Sequence, residues 1–382
     1  MGRSGVLMRI LTKYILREHL GPFLFGIGLF AFIFLSDKLF QLTDLIVTRG
    51  VPPSQVGKML MWILPAIFAE IAPVAWLLAT LMAYSRMAQD NEIAPLRAAG
   101  QSFLVLATPA LLSAVCLSLG LVWFNDQVLP RANWSFKELH FNVIQTRAAI
   151  IIQPRYFISE FDGHIFYVED KEEPAGILHN IIVYAVNPPP RQANVILAKE
   201  GQLVFNPESR RVILKLRDGE MHEISPLDRA RYRRITFKAY DLDLDVNRAL
   251  ARQNVTATRS FSEMTFAELS QDIVSRRETT GQDKPGLSAL APLLELHKRI
   301  AIPFACLAFG LIGFPFGILV RRGGRGIGFS LSLVFTMVYY LLLVLGRTLG
   351  EKAIISPWLS AWLPNVIIAG IGLLVMRRLV TR

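Results

Sequence analysis

The chain has 382 residues, 52% of them hydrophobic and 19% charged, with a formal net charge of +11. That composition excludes an ordinary soluble domain and a disordered tail, and fits a polytopic membrane protein. A nucleic-acid-binding face is also excluded: residues 125–290 hold 22 Lys/Arg and 22 Asp/Glu, the remainder 19 and 8, so the whole excess flanks apolar segments.

The first apolar segment, about 15–36, follows Arg3, Arg9, Lys13 and Arg17 and continues into "FLSDKLFQL" without a small-residue cleavage site, so a retained span is expected. Five more segments (59–84, 103–124, 300–320, 327–346 and 357–376) also approach the length of about 20 apolar residues that a bilayer core requires. Six spans put both termini on one side. Short flanks on that side carry twelve Lys/Arg against five opposite, which predicts cytoplasmic termini and an outer region between spans three and four. Lys38, just past the first span, then lies where it could meet an anionic lipid head group or simply snorkel. Glu70 falls near the middle of span two between Pro65 and Pro73, where a carboxylate is either a structural acid or faces a cavity.

Between spans two and three stands "MAQDNEIAPLRAAGQS", residues 87–102. Asn91 to Ala99 can form a helix of about 13 Å, with Asp90 or Asn91 as cap, Pro95 tolerated in the first turn and Gly100 as left-handed stop. So short a helix does not persist alone in water. Ile93 and Leu96 beside Glu92 and Arg97 suit either insertion into a groove on a soluble partner or rest on lipid.

The outer region reads as β structure: "RYFISEF", "HIFYVED", "ILHNIIVYAVN", "NVILAKEGQLVFN", "RVILKLRDGEMHEIS" and "RRITFKAYDLDLD" are β-branched or aromatic runs. Turn chemistry separates them at Asp162-Gly163, Pro188 to Pro190, Asn206-Pro207 and Asp218-Gly219, arguing for a meander, sandwich or jelly roll. Arg229, Arg231 and Arg233, and Asp241, Asp243 and Asp245, share strand faces and are expected to form a cross-strand charge pattern. "MTFAELSQDIVSRRE" has helical period with Thr265 as cap and Phe266, Leu269 and Ile273 on one face, and "TTGQDKPG" reads as a linker. Lys298 and Arg299 place two cations at the outer end of span four, either for lipid or for Glu295.

Chemistry-bearing motifs are missing. There is no phosphate-binding G-x-x-x-x-G-K-[ST], no H-E-x-x-H and no G-x-S-x-G; "RRGGRGIG" joins two spans as a basic turn, and Cys116 and Cys306 sit within apolar runs. No metal, cofactor or catalytic residue is expected in this chain, so energy must enter from outside it.

In their order and spacing, "YILREHLGPFLFG", "QDNEIAPLRAAGQS", "ELHKRIAIPFACLAFGLIGFPFGI" and "WLPN" resemble the lipopolysaccharide export permeases, the LptF/LptG family, over essentially the whole chain. The resemblance implies an α+β membrane protein: residues 1–124 with three spans and a coupling helix at about 90–100, a periplasmic β-jelly roll with a helical linker over 125–290, and three spans over 291–382. It implies residence in the inner membrane of a Gram-negative bacterium and pairing of LptF with LptG. The other implied partners are an LptB-type ATPase dimer supplying ATP and Mg, an LptC-type jelly roll, and lipopolysaccharide as cargo. Carried over residue by residue, Glu92 contacts the ATPase with Asp90, Asn91, Leu96 and Arg97 around it, and Lys38, in the LptF-like "SDKL", attends lipid phosphate. Two departures stand out: the family places an apolar or hydroxylated residue at Glu70, and Pro95 interrupts its coupling motif. The competing expectations are a mechanotransmission-type ABC permease and a membrane-anchored periplasmic scaffold.

Overall fold

The computed structural model describes residues 2–47, 51–146, 155, 157–158, 164–172, 177–185, 195–206, 211–224, 232–244, 259–280, 287–320 and 324–381. Its helices in chain order are α1 (Gly2–Val47), α2 (Pro53–Gln89), α3 (Ile93–Ala98), α4 (Phe103–Gln127), α5 (Leu129–Thr146), α6 (Phe266–Thr280), α7 (Leu287–Leu319), α8 (Gly324–Glu351) and α9 (Pro357–Thr381). Six of them, α1, α2, α4, α7, α8 and α9, are long and apolar enough to cross a membrane, and the expected spans fall within them apart from Val320. A β-sheet lies in the chain between the third and fourth spans. The chain divides into two compact units, residues 1–39, 60–134 and 261–382 in one and 40–59 and 135–260 in the other.

In the helical unit α2 and α7 are the two most buried spans, α1 and α8 the least. Bilayer lipid is as apolar as leucine, so helices hold together by close packing and hydrogen bonds, which small residues permit. Gly313 and Gly317 of α7 lie against Thr80 and Tyr84 of α2, where an added Cβ would come within 2.9 and 2.8 Å of side-chain atoms. Gly372 of α9 lies on the α7 backbone, its would-be Cβ 2.7 Å from Leu311 C. Around these contacts pack Leu77, Leu81, Ala305, Phe309 and Ile312 in one cluster, and Trp76, Tyr84, Leu106, Ala110 and Phe314 in another. Polar side chains complete the joins. Pro303 has no N–H to give the α7 carbonyl four residues earlier, that of Arg299, and buried Asn125 of α4 donates to it instead at 3.1 Å. Asn365 of α9 donates to Ala301 O at 2.6 Å.

The other unit carries a six-stranded antiparallel meander in the order β1 to β6: β1 (Phe157–Ile158), β2 (His164–Glu172), β3 (Ile177–Ala185), β4 (Val195–Asn206), β5 (Arg211–Ile224) and β6 (Tyr232–Leu244). Each strand was foreseen in the sequence, but Asp218-Gly219 is not a turn: β5 runs through it, with Asp218 in the left-handed region at φ 48°. Asn180 does the same in β3 at φ 51°. Alternation therefore slips by one residue there, from buried Leu178 to buried Ile181, Val183 and Ala185. Asn and Asp tolerate this conformation better than other side-chain-bearing residues, which explains why a turn signature can sit inside a strand. The buried face gathers Phe166, Val168, Ile181, Ile196, Leu214 and Leu216. Lys215 lies opposite Asp241 and Arg233 opposite Glu223. Arg234 pairs with Glu220, which holds that carboxyl below the usual carboxylate range. Arg229, Arg231, Asp245, the turns at 162–163 and 188–190, and residues 281–286 of the expected linker lie outside the described residues.

A pair of glycines on one helix tests the packing. Gly372→Ala is expected to lower the stability of the detergent-solubilised chain by about 1–3 kcal/mol, through a forced shift of α9 against α7. Gly370→Ala, where nothing lies within 4 Å of the new Cβ, is expected to leave the melting temperature unchanged or raise it.

Candidate functional site

The charged segment after span two is built in three steps. Asn91 ends α2: it is left-handed at φ 56°, and the N–H groups of Asn91 and Glu92 return to Ala88 O at 3.3 Å and Met87 O at 3.0 Å, a Schellman close. Helix α3 follows at once as six residues, shorter than the segment suggested. Gly100 then closes it in the same way at φ 84°, its N–H on Arg97 O and that of Gln101 on Leu96 O. Asn91 thus stops one helix and does not cap the next. Pro95 is the third residue of α3, in the first turn, where its missing N–H is not called on. Ser102 opens α4 by accepting from Val105 N at 3.3 Å.

The side chains sort into an inner and an outer set. Ile93 is buried in a cluster with Leu11, Ile15, Met87 and Ala88, and Leu96 packs half-buried on that cluster, so the apolar pair anchors α3 to its own bundle. What α3 exposes is small: Ala94, Pro95 and Ala98, flanked by Asn91 and Arg97. Arg97 lies over the Phe103 ring, 4.0 Å from its centroid. Glu92 is neither a cap nor fully free, because the Tyr14 hydroxyl of α1 reaches both its carboxylate oxygens, at 2.8 and 2.7 Å. One turn along α1, Glu18 pairs with Arg86 of α2, which also reaches Asp90 at 3.3 Å. The chain therefore ties its first span to the charged segment by two polar links. Sequence reasoning missed Tyr14, Glu18 and Arg86; the available signal was an acid four residues from a tyrosine, on one helix face, amid basic residues.

At the opposite ends of the spans, the candidate lipid cations separate. Arg299 is 3% exposed, and its guanidinium donates to Phe261 O, Met264 O and, at 3.3 Å, Glu295. It is spent on the protein and gives way as a lipid contact to a structural role, fastening the returning chain to α7. Asp126 of α4 accepts from Phe266 N at 2.8 Å, Asn133 donates to Ser262 O at 3.0 Å, and Thr265 with Glu268 forms a capping box on α6. Lys298 stays half-exposed, 4.0 Å from Glu295, in a cleft between α7 and α8. Lys38 stands on α1 beside Asp37 at 3.4 Å and does not line that cleft. Glu70 is exposed on α2, although most of that helix is buried.

A sequence model of the family described as lipopolysaccharide export system permease LptF/LptG matches residues 13–378 of the chain. The lipopolysaccharide export system permease protein LptF of Escherichia coli K12 is 20% identical over 367 residues, covering 94% of this chain and 92% of that protein. The LptF of Shigella flexneri matches to the same extent. An uncharacterized protein of Rickettsia prowazekii is 22% identical over 292 residues, 73% of this chain and 74% of its own.

The link between Tyr14 and Glu92 is measurable. A hydrogen bond to a charged acceptor is worth about 1.5–3 kcal/mol, so Tyr14→Phe is expected to speed amide hydrogen exchange over Ile93–Ala98 by about tenfold or more while leaving α7 unchanged. Equal exchange in both proteins would show that the bond does not hold α3.

Proposed function

The chain belongs to the lipopolysaccharide export permease LptF/LptG family, and on that premise we propose that it is one permease half of an ABC transporter lifting lipopolysaccharide out of the inner membrane. The other half is a related permease in an LptF/LptG pair. Power comes from an LptB-type ATPase dimer that holds the ATP and Mg, and the lipid passes to an LptC-type jelly roll. The relatives titled LptF favour that side of the pair for this chain.

The observation that carries the reading is α3: six residues, too short to persist alone, anchored inward by Ile93 and Leu96 and presenting Ala94, Pro95 and Ala98 outward. A smooth knob of small residues between Asn91 and Arg97 suits a socket on a soluble protein better than it suits lipid. The termini and α3 then lie in the cytoplasm, a reading that the twelve-to-five bias of basic flanks supports. The meander of β1 to β6 is read as part of the periplasmic jelly roll.

Coupling follows from the links. ATPase closure displaces α3, and because Glu92 is bound by Tyr14 and Arg86 by Glu18, the push reaches α1 directly as well as α2 and α4. Among the spans α1 is the least buried, so it is the one freest to move. The lipid is then squeezed from a cavity between the permeases. Glu70 supports such a cavity: a carboxylate bare to hydrocarbon is costly, so its face of α2 meets water or a partner's cation.

The test is copurification of a soluble ATPase with the full chain. Ala98→Trp blocks the outward face without touching the packed one, and is expected to cut the bound ATPase by about tenfold or more, since a docking hot spot is worth at least about 2 kcal/mol, at unchanged permease stability. Glu92→Lys, which also removes the acceptor of the Tyr14 bond, is expected to lower the bound ATPase as well. A scaffold would be indifferent to both, and undiminished ATPase in both variants would sink the reading.

A further inference from the structure

The cleft holding Lys298 has a structural cause. Ser360 of α9 donates to Gly346 O at 2.8 Å, and Cβ atoms built at Gly346 and Gly350 would stand 2.4 and 2.5 Å from Ser360 atoms, so α8 leans closely on α9. It touches α7 far less. The gap that remains between α7 and α8 measures about 170 Å³ and is walled by Leu294, Lys298, Ile302, Leu343 and Arg347. Its depth is marked by Trp358, which is exposed, and Trp362, stacked on it at 6.3 Å, which flank Ser360 and Ala361 on the cleft floor. Tryptophans of this kind settle at the head-group level of a bilayer.

Charge at the mouth is uneven. Glu295 is shared between Lys298 at 4.0 Å and buried Arg299 at 3.3 Å, while Arg347 has Glu351 at 2.7 Å. Among the lining groups Lys298 and Arg347 stand against Glu295 and Glu351, and because Glu295 is also held by Arg299 behind the wall it neutralises Lys298 only in part, above a mostly apolar interior. Size then decides what enters. A cavity of about 150 Å³ takes one benzene, so this one has room for a stretch of a single acyl chain and not for the many chains of lipopolysaccharide.

We propose that this cleft binds an anionic glycerophospholipid of the surrounding leaflet, its phosphate between Lys298 and Arg347 and one acyl chain along Ile302 and Leu343, as a resident lipid separate from the transported one. A lipid wedged there fills the space that α8 leaves on its α7 side. The position of α8 against α7 then depends on membrane composition as well as on the ATPase.

The experiment uses the full chain with its copurifying subunits in nanodiscs of phosphatidylethanolamine and phosphatidylglycerol doped with lipopolysaccharide. A photocrosslinking residue replaces Leu343, inside the cleft, or Leu341, 59% exposed on the same helix, and adducts are identified by mass spectrometry. Leu343 is expected to capture phosphatidylglycerol, and Lys298→Gln with Arg347→Gln to reduce that adduct about tenfold, the value of one charge-assisted contact, with the Leu341 adduct unchanged. If the double variant lowers the Leu341 adduct too, the single Arg347→Gln, at an exposed site, is decisive and is expected to give a drop of about threefold. No adduct at Leu343, an adduct indifferent to both variants, or a lipopolysaccharide adduct there would overturn the proposal. Because the readout is lipid identity and not transport, failure here is distinguishable from failure of the transport reading.

Discussion

The close approach of α7 to α2 is the constraint on which the helical unit rests. In hydrocarbon the hydrophobic effect gives neighbouring helices no reason to touch, and the contact depends on Gly313 and Gly317 leaving room for Thr80 and Tyr84. Once these two spans are locked, α4 and α9 add to the same seam through Asn125, Asn365 and Gly372. The seam also explains why α7 tolerates Pro303. A proline breaks a helix when the freed carbonyl stays empty, and here Asn125 fills the one on Arg299.

A locked centre makes the polar ends meaningful. At one end Asp126, Asn133 and Arg299 bind the chain where it re-enters the bundle, around Phe261 to Phe266, so that segment moves with α4 and α7. At the other, Tyr14 and Arg86 bind α1 to the segment after α2. Both are side-chain links across the hydrogen-bonded backbone of separate elements, and neither sits in the apolar middle. Motion applied to α3 therefore has two rigid routes, through α2 and α4 by chain continuity and through α1 by the tyrosine.

Much of this was legible in the sequence, for identifiable reasons. Spans are set by length and hydropathy, strands by runs of β-branched residues, and Gly100 by the lack of other residues suited to φ 84°. The failures also have a pattern. Asp218-Gly219 carries turn chemistry, yet its neighbours pair on both sides and the backbone absorbs the left-handed residue within β5. For Leu96 the pattern left a partner's groove and lipid both open, and in the structure it packs half-buried on the chain's own core. For Arg299 the sequence left lipid and Glu295 both open, and the structure adds two carbonyls to Glu295. A charged residue at a span end reads as interfacial until a carbonyl pair from Phe261 and Met264, 38 and 35 residues away, is known to face it. Periodicity reports what lies on a helix face, but not which distant segment covers it.

Glu70 shows the same limit from the other side. Along most of α2 the residues are covered by the chain itself, yet the acid is exposed, within electrostatic reach of Tyr340 on α8. An ionised carboxylate at mid-span costs about 2.5–3.5 kcal/mol on insertion scales, too much to leave facing lipid when a neighbouring apolar residue would serve. In this part of α2, Ile67, Ile71 and Val74 cluster with Phe30 of α1 and with Phe329 and Tyr340 of α8, and α1 and α8 are the two least buried spans. Bare apolar helices alone would be content in lipid. It is the acid among them that is not, so the face of α2 carrying Glu70 is one where a bare carboxylate has to be offset by water or a counter-charge, a demand that the apolar side of Trp123 and Leu119 on α4 does not make.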